Sequence, residues 1–295
     1  MKKKLIVGSR GSSLALKQAN LVIDALKEKL IEVEFEIKII TTTGDKILDR
    51  ALDKIGGKGL FVFEIEKALI DEEIDIAIHS MKDVPAFLEE VFEISPLLKR
   101  EDPRDILISK DNIKFKDLPT GAVIGTSSLR RIIQLRELRG DLNYLPIRGN
   151  IDTRIKKMNL GEFNGIVLAA AGLNRMGWSS AITEYFDIGA MIPAVGQGAL
   201  CIEYRKADTY IKNIIKEQNK NIEIRGILGE RAFLEAVNGS CSVAMGAFGE
   251  ITGEELTLKG FYSENPEGKI IIEEVRGAAK NYKLLGKALA ARIKK

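Results

Sequence analysis

Between Thr126 and Lys157 the sequence places eight cationic residues, Arg130, Arg131, Arg136, Arg139, Arg148, Arg154, Lys156 and Lys157, against three acidic ones, Glu137, Asp141 and Asp152. An excess of this size calls for an anion. Arg130 and Arg131 fall in the first turn of an expected helix, where the helix dipole favours negative charge and disfavours guanidinium. Beside Ser127 and Ser128 the pair is locally unfavourable unless an anion binds at that helix start. Arg10, before Ser12 and Ser13, repeats the arrangement near the N-terminus. Arginine's planar fork matches carboxylate or phosphate with two parallel hydrogen bonds. Arg148 and Arg154 also fall at a strand-to-helix junction, whereas Arg136 and Arg139 read as a solvated helix face.

Other side chains suit other chemistry. In Ser80-Met81-Lys82-Asp83-Val84-Pro85, which follows an apolar strand, Asp83 is either an acid/base or cation-stabilising carboxylate or a turn residue capping local amides. His79 ends that strand as a hydrogen-bonded structural residue or a catalytic one. Gly56-Gly57-Lys58-Gly59 lacks the P-loop spacing, since Leu60 follows Gly59, so it reads as a mobile flap carrying Lys54 and Lys58 or as a plain surface loop. Of the two cysteines, Cys201 lies in the apolar run Ala199 to Ile202 and reads as buried and inert. Cys241, in Asn238-Gly239-Ser240-Cys241-Ser242, sits among small polar residues unsuited to a core. It is a candidate nucleophile or attachment point, or an exposed thiol without a role.

These residues need elements to hold them. Lys4 to Gly8 reads as a strand, followed by a helix with Ala15, Ala19, Val22, Ile23, Leu26 and Leu30 on one face, and by a strand of alternating Val33, Phe35, Ile37 and Ile39. A helix from about Leu60 to Glu72 precedes the strand Asp75 to His79. Past Lys99 to Arg104 the pattern restarts, with strands at Ala122 to Gly125, Asn143 to Ile147 and Ile166 to Ala170 alternating with helices Leu129 to Leu138 and Ile151 to Met158. The alternation predicts mostly parallel sheets covered by helices, with a ligand held between two tandem α/β units at strand C-termini and helix N-termini. A helix from about Ile222 to Val237, three strand-like runs and a helix from about Lys280 to Ile293 predict a small α+β domain.

Composition narrows the function. The chain has 295 residues, 45% hydrophobic and 29% charged, which fits about two or three folded domains. The longest apolar run, Gly165 to Leu173, is far below the roughly 18 residues of a membrane span, and Leu5-Ile6-Val7 is too short for a signal-peptide core; a cytoplasmic protein is expected. A net charge of +3 gives no global reason to expect nucleic acid. One histidine and two cysteines exclude the common zinc motifs, and no metal site is expected.

At these segments the chain resembles the hydroxymethylbilane synthase (porphobilinogen deaminase) family over nearly its whole length. The likeness rests on Gly8-Ser9-Arg10-Gly11-Ser12 with Gln18, Thr43-Gly44-Asp45, Gly56 to Phe61, His79 to Pro85, Arg100 to Asp105 and Gly125 to Arg131. It continues through Arg148-Gly149-Asn150 with Thr153-Arg154, Ala171-Gly172-Leu173, Pro193 to Gly198, Glu230-Arg231 and Gly239-Ser240-Cys241. Asn238, Ser240 and Ala244 depart from the usual pattern of the cysteine loop and leave the thiol in place. The resemblance implies two α/β domains like those of type II periplasmic binding proteins plus a small α+β domain. The boundaries expected are 1–98 with 199–216, 104–192, and 221–295.

It further implies an enzyme, a transferase of tetrapyrrole biosynthesis that joins four porphobilinogens head to tail into linear hydroxymethylbilane with release of ammonia. Its cofactor is expected to be a dipyrromethane bound as a thioether to Cys241. By the same resemblance Asp83 is catalytic, Lys82, Ser128, Arg130, Arg131 and Arg154 bind the cofactor, and Arg10, Ser12, Thr126, Ser127, Arg148 and Gln197 bind substrate. Lys54, Lys58 and Phe61 belong to a flexible loop. The expected partner is porphobilinogen alone, with no nucleic acid or membrane, and the expected state a monomer. The alternative is a two-lobed anion-binding protein without catalysis, which would explain the arginines but would need neither Cys241 nor Asp83.

Overall fold

The structure, a computed structural model, describes residues 4–46, 62–218, 221–237, 243–265 and 268–294. The first α/β domain runs β1 (Lys4–Ser9), α1 (Ser13–Lys27), β2 (Glu34–Ile39), α2 (Thr43–Lys46), α3 (Phe63–Ile70), β3 (Ile76–Ser80) and β4 (Phe92–Leu97). The second contains β5 (Asp105–Ser109), β6 (Val123–Gly125), α4 (Leu129–Leu138), β7 (Asn143–Leu145), α5 (Ile151–Asn159), β8 (Gly165–Ala169), α6 (Ala170–Met176) and β9 (Glu184–Tyr185). The chain then returns through β10 (Leu200–Arg205) and α7 (Thr209–Gln218). The small α+β domain follows as α8 (Ile224–Val237), β11 (Ala244–Thr252), β12 (Glu255–Ser263), β13 (Ile271–Ala278) and α9 (Tyr282–Ile293).

The two five-stranded sheets have one topology, β2-β1-β3-β10-β4 and β7-β6-β8-β5-β9. In each, four strands run the same way, and the fourth position is filled by an antiparallel strand: β10 pairs antiparallel with β3 and β4, and β5 with β8 and β9. Four of the five strands in each sheet therefore share one direction, as the alternation predicted, and a single reversed strand is inserted among them. The reversal of that one strand is not legible in the sequence, because periodicity reports a strand's burial and not its direction. The chain crosses between the domains twice, once from β4 to β5 and once from β9 to β10.

Each domain has its own apolar core. Val22, Ile23 and Leu26 of α1 and Ile211 and Ile215 of α7 pack on Leu5, Val7, Ile76 and Ile202 in the first. In the second, Ile106, Ile166 and Leu168 meet Ile147 and Met158 on one face, while Leu107, Ile124 and Val167 meet Leu135 on the other. Phe233, Leu256, Leu258 and Leu289 centre the third. The third domain approaches the second crossing so closely that a Cβ on Gly246 would stand 2.4 Å from the Pro193 carbonyl oxygen. A glycine is required there.

The first crossing ends at Asp105, fully buried at the start of β5. Arg131 Nε and Nη2 donate to its Oδ1 at 2.9 and 2.7 Å, and Arg131 Nη1 donates to the Val167 carbonyl at 2.9 Å. Arg130 Nη1 stands 2.7 Å from Asp105 Oδ2 and donates to the Ile192 carbonyl. Burial opposes ionisation of Asp105, but the two guanidiniums prevail and hold its carboxyl well below the usual range. Removing one member of such a cluster leaves buried charge uncompensated. Asp105→Ala is therefore expected to lower stability by about 3–5 kcal/mol, read as a shifted denaturant midpoint at unchanged slope. A change under about 1 kcal/mol would show that water solvates the guanidiniums.

Candidate functional site

A cavity of about 700 Å³ opens between the α/β domains. Its walls are the loops at the C-terminal ends of parallel strands and the helix starts that follow them, as open α/β sheets place their ligands. After β1, Arg10 and Ser12 face it. Ser12 caps α1 by accepting from the Ala15 amide at 3.2 Å. After β3, a 3-10 turn at Met81–Asp83 presents Lys82 and Asp83. From the second domain come Arg131 of α4, and Arg148, Gly149, Asn150 and Arg154 around the start of α5. Asn150 caps α5 by accepting from the Thr153 amide at 2.9 Å. Gly149 at φ +110° leaves its carbonyl to accept from Arg154 Nε at 2.7 Å, so an unusual backbone aims that arginine.

Charge on the lining is strongly one-sided. The cations are Arg10, Lys82, Arg131, Arg148, Arg154 and Arg175, against the carboxylates of Asp83 and Asp152. Lys82 lines the cavity on the turn after β3. Withdrawal from bulk water pushes its pKa down to about 8, with Arg131 and Arg130 adding to the fall and Asp83 and Asp105 resisting it. Burial also brings Arg154 down to about 10, helped by Arg131 and Arg148. Arg175 falls to about 10 by burial, against the pull of Glu101. Cations crowded in this way favour a ligand bearing several carboxylates.

A polar chain links the two sides. Lys82 Nζ lies 3.3 Å from Gln197 Oε1, and Gln197 Nε2 donates to the Pro103 carbonyl at 2.7 Å and to Asp105 Oδ1 at 3.0 Å. Behind the Lys82-Asp83 turn, Arg231 of α8 donates to the carbonyls of Val84, Pro85 and Ala86. Gln18 Nε2 donates to Ser80 Oγ at 3.0 Å. The turn is thus held from both ends.

Of the residues expected from sequence, Arg10, Ser12, Lys82, Asp83, Arg131, Arg148 and Arg154 meet around this cavity, while Thr126, Ser127, Ser128, Arg130 and Gln197 do not line it. Ser127 Oγ donates to the Ile147 carbonyl, Thr126 Oγ1 accepts from the Ser128 amide, and Gln197 is spent on the chain just described. The anion inferred at the start of α4 is in the first instance the protein's own Asp105, so Arg130 is an internal partner and only Arg131 also reaches the cavity wall. Arg175 and Trp178 are lining residues that the sequence reading missed. Arg175, in the last turn of α6, looked like an ordinary cation at a helix C-terminus.

His79 Nε2 stands 2.8 Å from the buried carboxylate of Glu203, a structural role. Cys201 is fully buried, and burial pushes its thiol far up, as expected for an inert cysteine. Cys241, Lys54, Lys58 and Phe61 lie outside the described residues. Among the described residues no helix is long and apolar enough to cross a membrane.

Comparison with known proteins gives two family models in sequence. Residues 5–213 match "Porphobilinogen deaminase, dipyromethane cofactor binding domain", and residues 224–295 match "Porphobilinogen deaminase, C-terminal domain". The porphobilinogen deaminase of Alkaliphilus metalliredigens is 48% identical over 95% of this chain and 89% of its own length. That of Clostridioides difficile is 47% identical over 99% and 97%, and that of Bacillus subtilis 49% identical over 93% and 88%. Among solved structures, a probable amino-acid ABC transporter extracellular-binding protein of Bacillus subtilis is similar with a TM-score of 0.45 at 14% identity, over 79% of this chain and 97% of that one. Two consecutive family models and near-half identity over almost the full length establish that the chain belongs to the porphobilinogen deaminase family.

Proposed function

We propose that the cavity between the α/β domains is where this chain carries out the family's transferase reaction, joining four porphobilinogens head to tail into linear hydroxymethylbilane with release of ammonia. The observation that carries the reading is the convergence of six cations on a cavity that Asp83 also lines. Each pyrrole brings an acetate and a propionate, and charge-assisted hydrogen bonds to such groups contribute roughly 1.5 to 3 kcal/mol each. A two-lobed binding protein would share the arginines but would not need Asp83 beside Lys82.

The family's dipyrromethane fits this donor set, because its carboxylates relieve the crowding that lowers Lys82 and Arg154. Arg131, Arg154 and Lys82 would hold it, with Cys241 as its attachment point. When bound, it supplies the terminal pyrrole carbon to which the first substrate is joined. Arg10, Ser12 and Arg148 receive the incoming porphobilinogen through its side-chain carboxylates. As the aminomethyl C–N bond of the substrate breaks and ammonia leaves, positive charge spreads to the pyrrole nitrogen. Asp83 faces that N–H and lowers the barrier by meeting charge as it develops. Its carboxylate is also placed to move the protons at nitrogen and at the attacking carbon.

The domain limits 1–98 with 199–216, 104–192 and 221–295, a monomeric state and a cytoplasmic location complete the reading. The placement of β10 in the first sheet and of Ile211 and Ile215 in the first core supports the first limit.

Three expectations follow from these roles. Asp83→Asn keeps the shape and removes the charge, so kcat should fall by roughly 10²–10³-fold with KM nearly unchanged; near-normal turnover would assign the step to another group. The intact mass of the protein should exceed its sequence mass by a two-ring adduct that Cys241→Ser abolishes and Cys201→Ser retains, and an adduct surviving in Cys241→Ser would overturn the attachment point. Arg154→Leu should yield mostly adduct-free protein, whereas Arg148→Leu should carry the adduct and stall after fewer additions. Native mass spectrometry under limiting porphobilinogen counts the rings in each variant; identical ring distributions would remove the division of labour.

A further inference from the structure

A second polar cluster lies in the first domain, on the sheet face that packs against α3. Glu203 of β10 is fully buried, and its Oε2 receives the His79 ring nitrogen at 2.8 Å. Its other oxygen, Oε1, has no hydrogen-bond partner, although a buried lone carboxylate oxygen is costly to leave unmatched. The group next to Glu203 is the carboxyl of Glu66, half-buried on α3 and within hydrogen-bonding reach. Two carboxylates cannot bond to each other unless one carries a proton. With Glu66 protonated, its O–H supplies the Glu203 carboxylate with the second donor it otherwise lacks.

The other charges facing Glu66 agree with this. Burial raises its pKa to about 7, with Glu203 and Glu89 reinforcing the rise and His79 opposing it. From β1 the packed side chain is Ile6, and the nearby cation of α8, Arg231, is spent on the carbonyls of Val84, Pro85 and Ala86. Among the described residues, His79 is the charge that opposes the rise at Glu66.

What the proton holds is α3. The helix packs Ile65, Ala68 and Leu69 on Ile74, Ala77 and Phe92, and Arg205 of β10 donates to its Leu69 carbonyl at 2.5 Å. One turn before that, the carboxylate of Glu64 accepts from the Thr43 amide at 2.9 Å and from the Thr43 hydroxyl. Thr43 precedes Gly44, which lines the cavity. The geometry points to a proton shared between Glu66 and Glu203 that docks α3 on the first sheet and, through Glu64 and Thr43, sets the Gly44 wall of the cavity, making Glu66 a positioning residue for the reaction. The link to the cavity rests on the reading that the reaction takes place there.

Because the carboxyl of Glu66 holds its proton more tightly in the folded chain than in the unfolded one, its contribution is complete below about pH 4.5 and is lost as pH rises through about 7. Glu66→Gln replaces the shared proton with a permanent amide donor. Denaturant unfolding of both proteins across this range should show the wild-type folding constant falling relative to Glu66→Gln, by at most roughly tenfold per pH unit and by less because Glu66 is half-buried. Glu203→Gln, which removes the carboxylate that needs the proton, should also flatten the difference. Parallel wild-type and Glu66→Gln curves would overturn the shared proton whatever the cavity does, since unfolding needs no substrate. For the cavity link, the wild-type KM for porphobilinogen should rise through about pH 7 while Glu66→Gln lacks that limb. A limb near pH 7 persisting in Glu66→Gln would break the connection to Gly44.

Discussion

One carboxylate, Asp105, makes the rest of the site possible. Two arginines in the first turn of a helix oppose its dipole, and burying both would be prohibitive without a counter-charge. Asp105 supplies that charge from the first residue of β5, the strand that arrives from the first domain. The same carboxylate also takes Gln197, on the segment leading back to β10, and Gln197 in turn accepts from Lys82. One buried anion thereby sets the outgoing crossing, the returning segment, α4 and the lysine of the opposite wall relative to one another.

Around that fixed point the cavity is left rich in positive charge. Burial lowers the pKa values of Lys82, Arg154 and Arg175, and neighbouring arginines add to the fall of the first two. Such an arrangement costs stability in the protein alone and is offset by carboxylates of a ligand, so affinity and stability are opposed at these positions. The supporting contacts are the Gly149 carbonyl beneath Arg154, the Gly198 carbonyl beneath Arg175, and Arg231 under the turn that carries Asp83. Preorganisation of this kind is what lets a carboxylate meet a developing charge without first having to move.

Much of this was legible in the sequence, and the rest was hidden for identifiable reasons. The one-sided helix α1, the inert Cys201 and the anion-seeking arginines all follow from local pattern and residue chemistry. The direction of β5 and β10 does not, because an inserted strand shows the same apolar run whether it lies parallel or antiparallel. The partner of Arg130 and Arg131 was equally invisible: Asp105 is some 25 positions away in the chain and belongs to the other end of a sheet. Burial of Glu203 beside Glu66 also arises only from tertiary packing, since β10 and α3 are brought together by a strand pairing of long range.

The double crossing explains why the third domain is attached where it is. Glu230 of α8 is fully buried and binds Arg100 of the first crossing, the amide of Gly196 on the second, and the amide of Gly249 on its own β11. Arg100 also lies over the Phe248 ring at 5.0 Å. Gly246 touches Pro193 on the same return segment. The third domain is therefore anchored chiefly to the two chain segments that join the α/β domains. Cys241 stands in the chain between α8 and β11, the two elements that make these contacts.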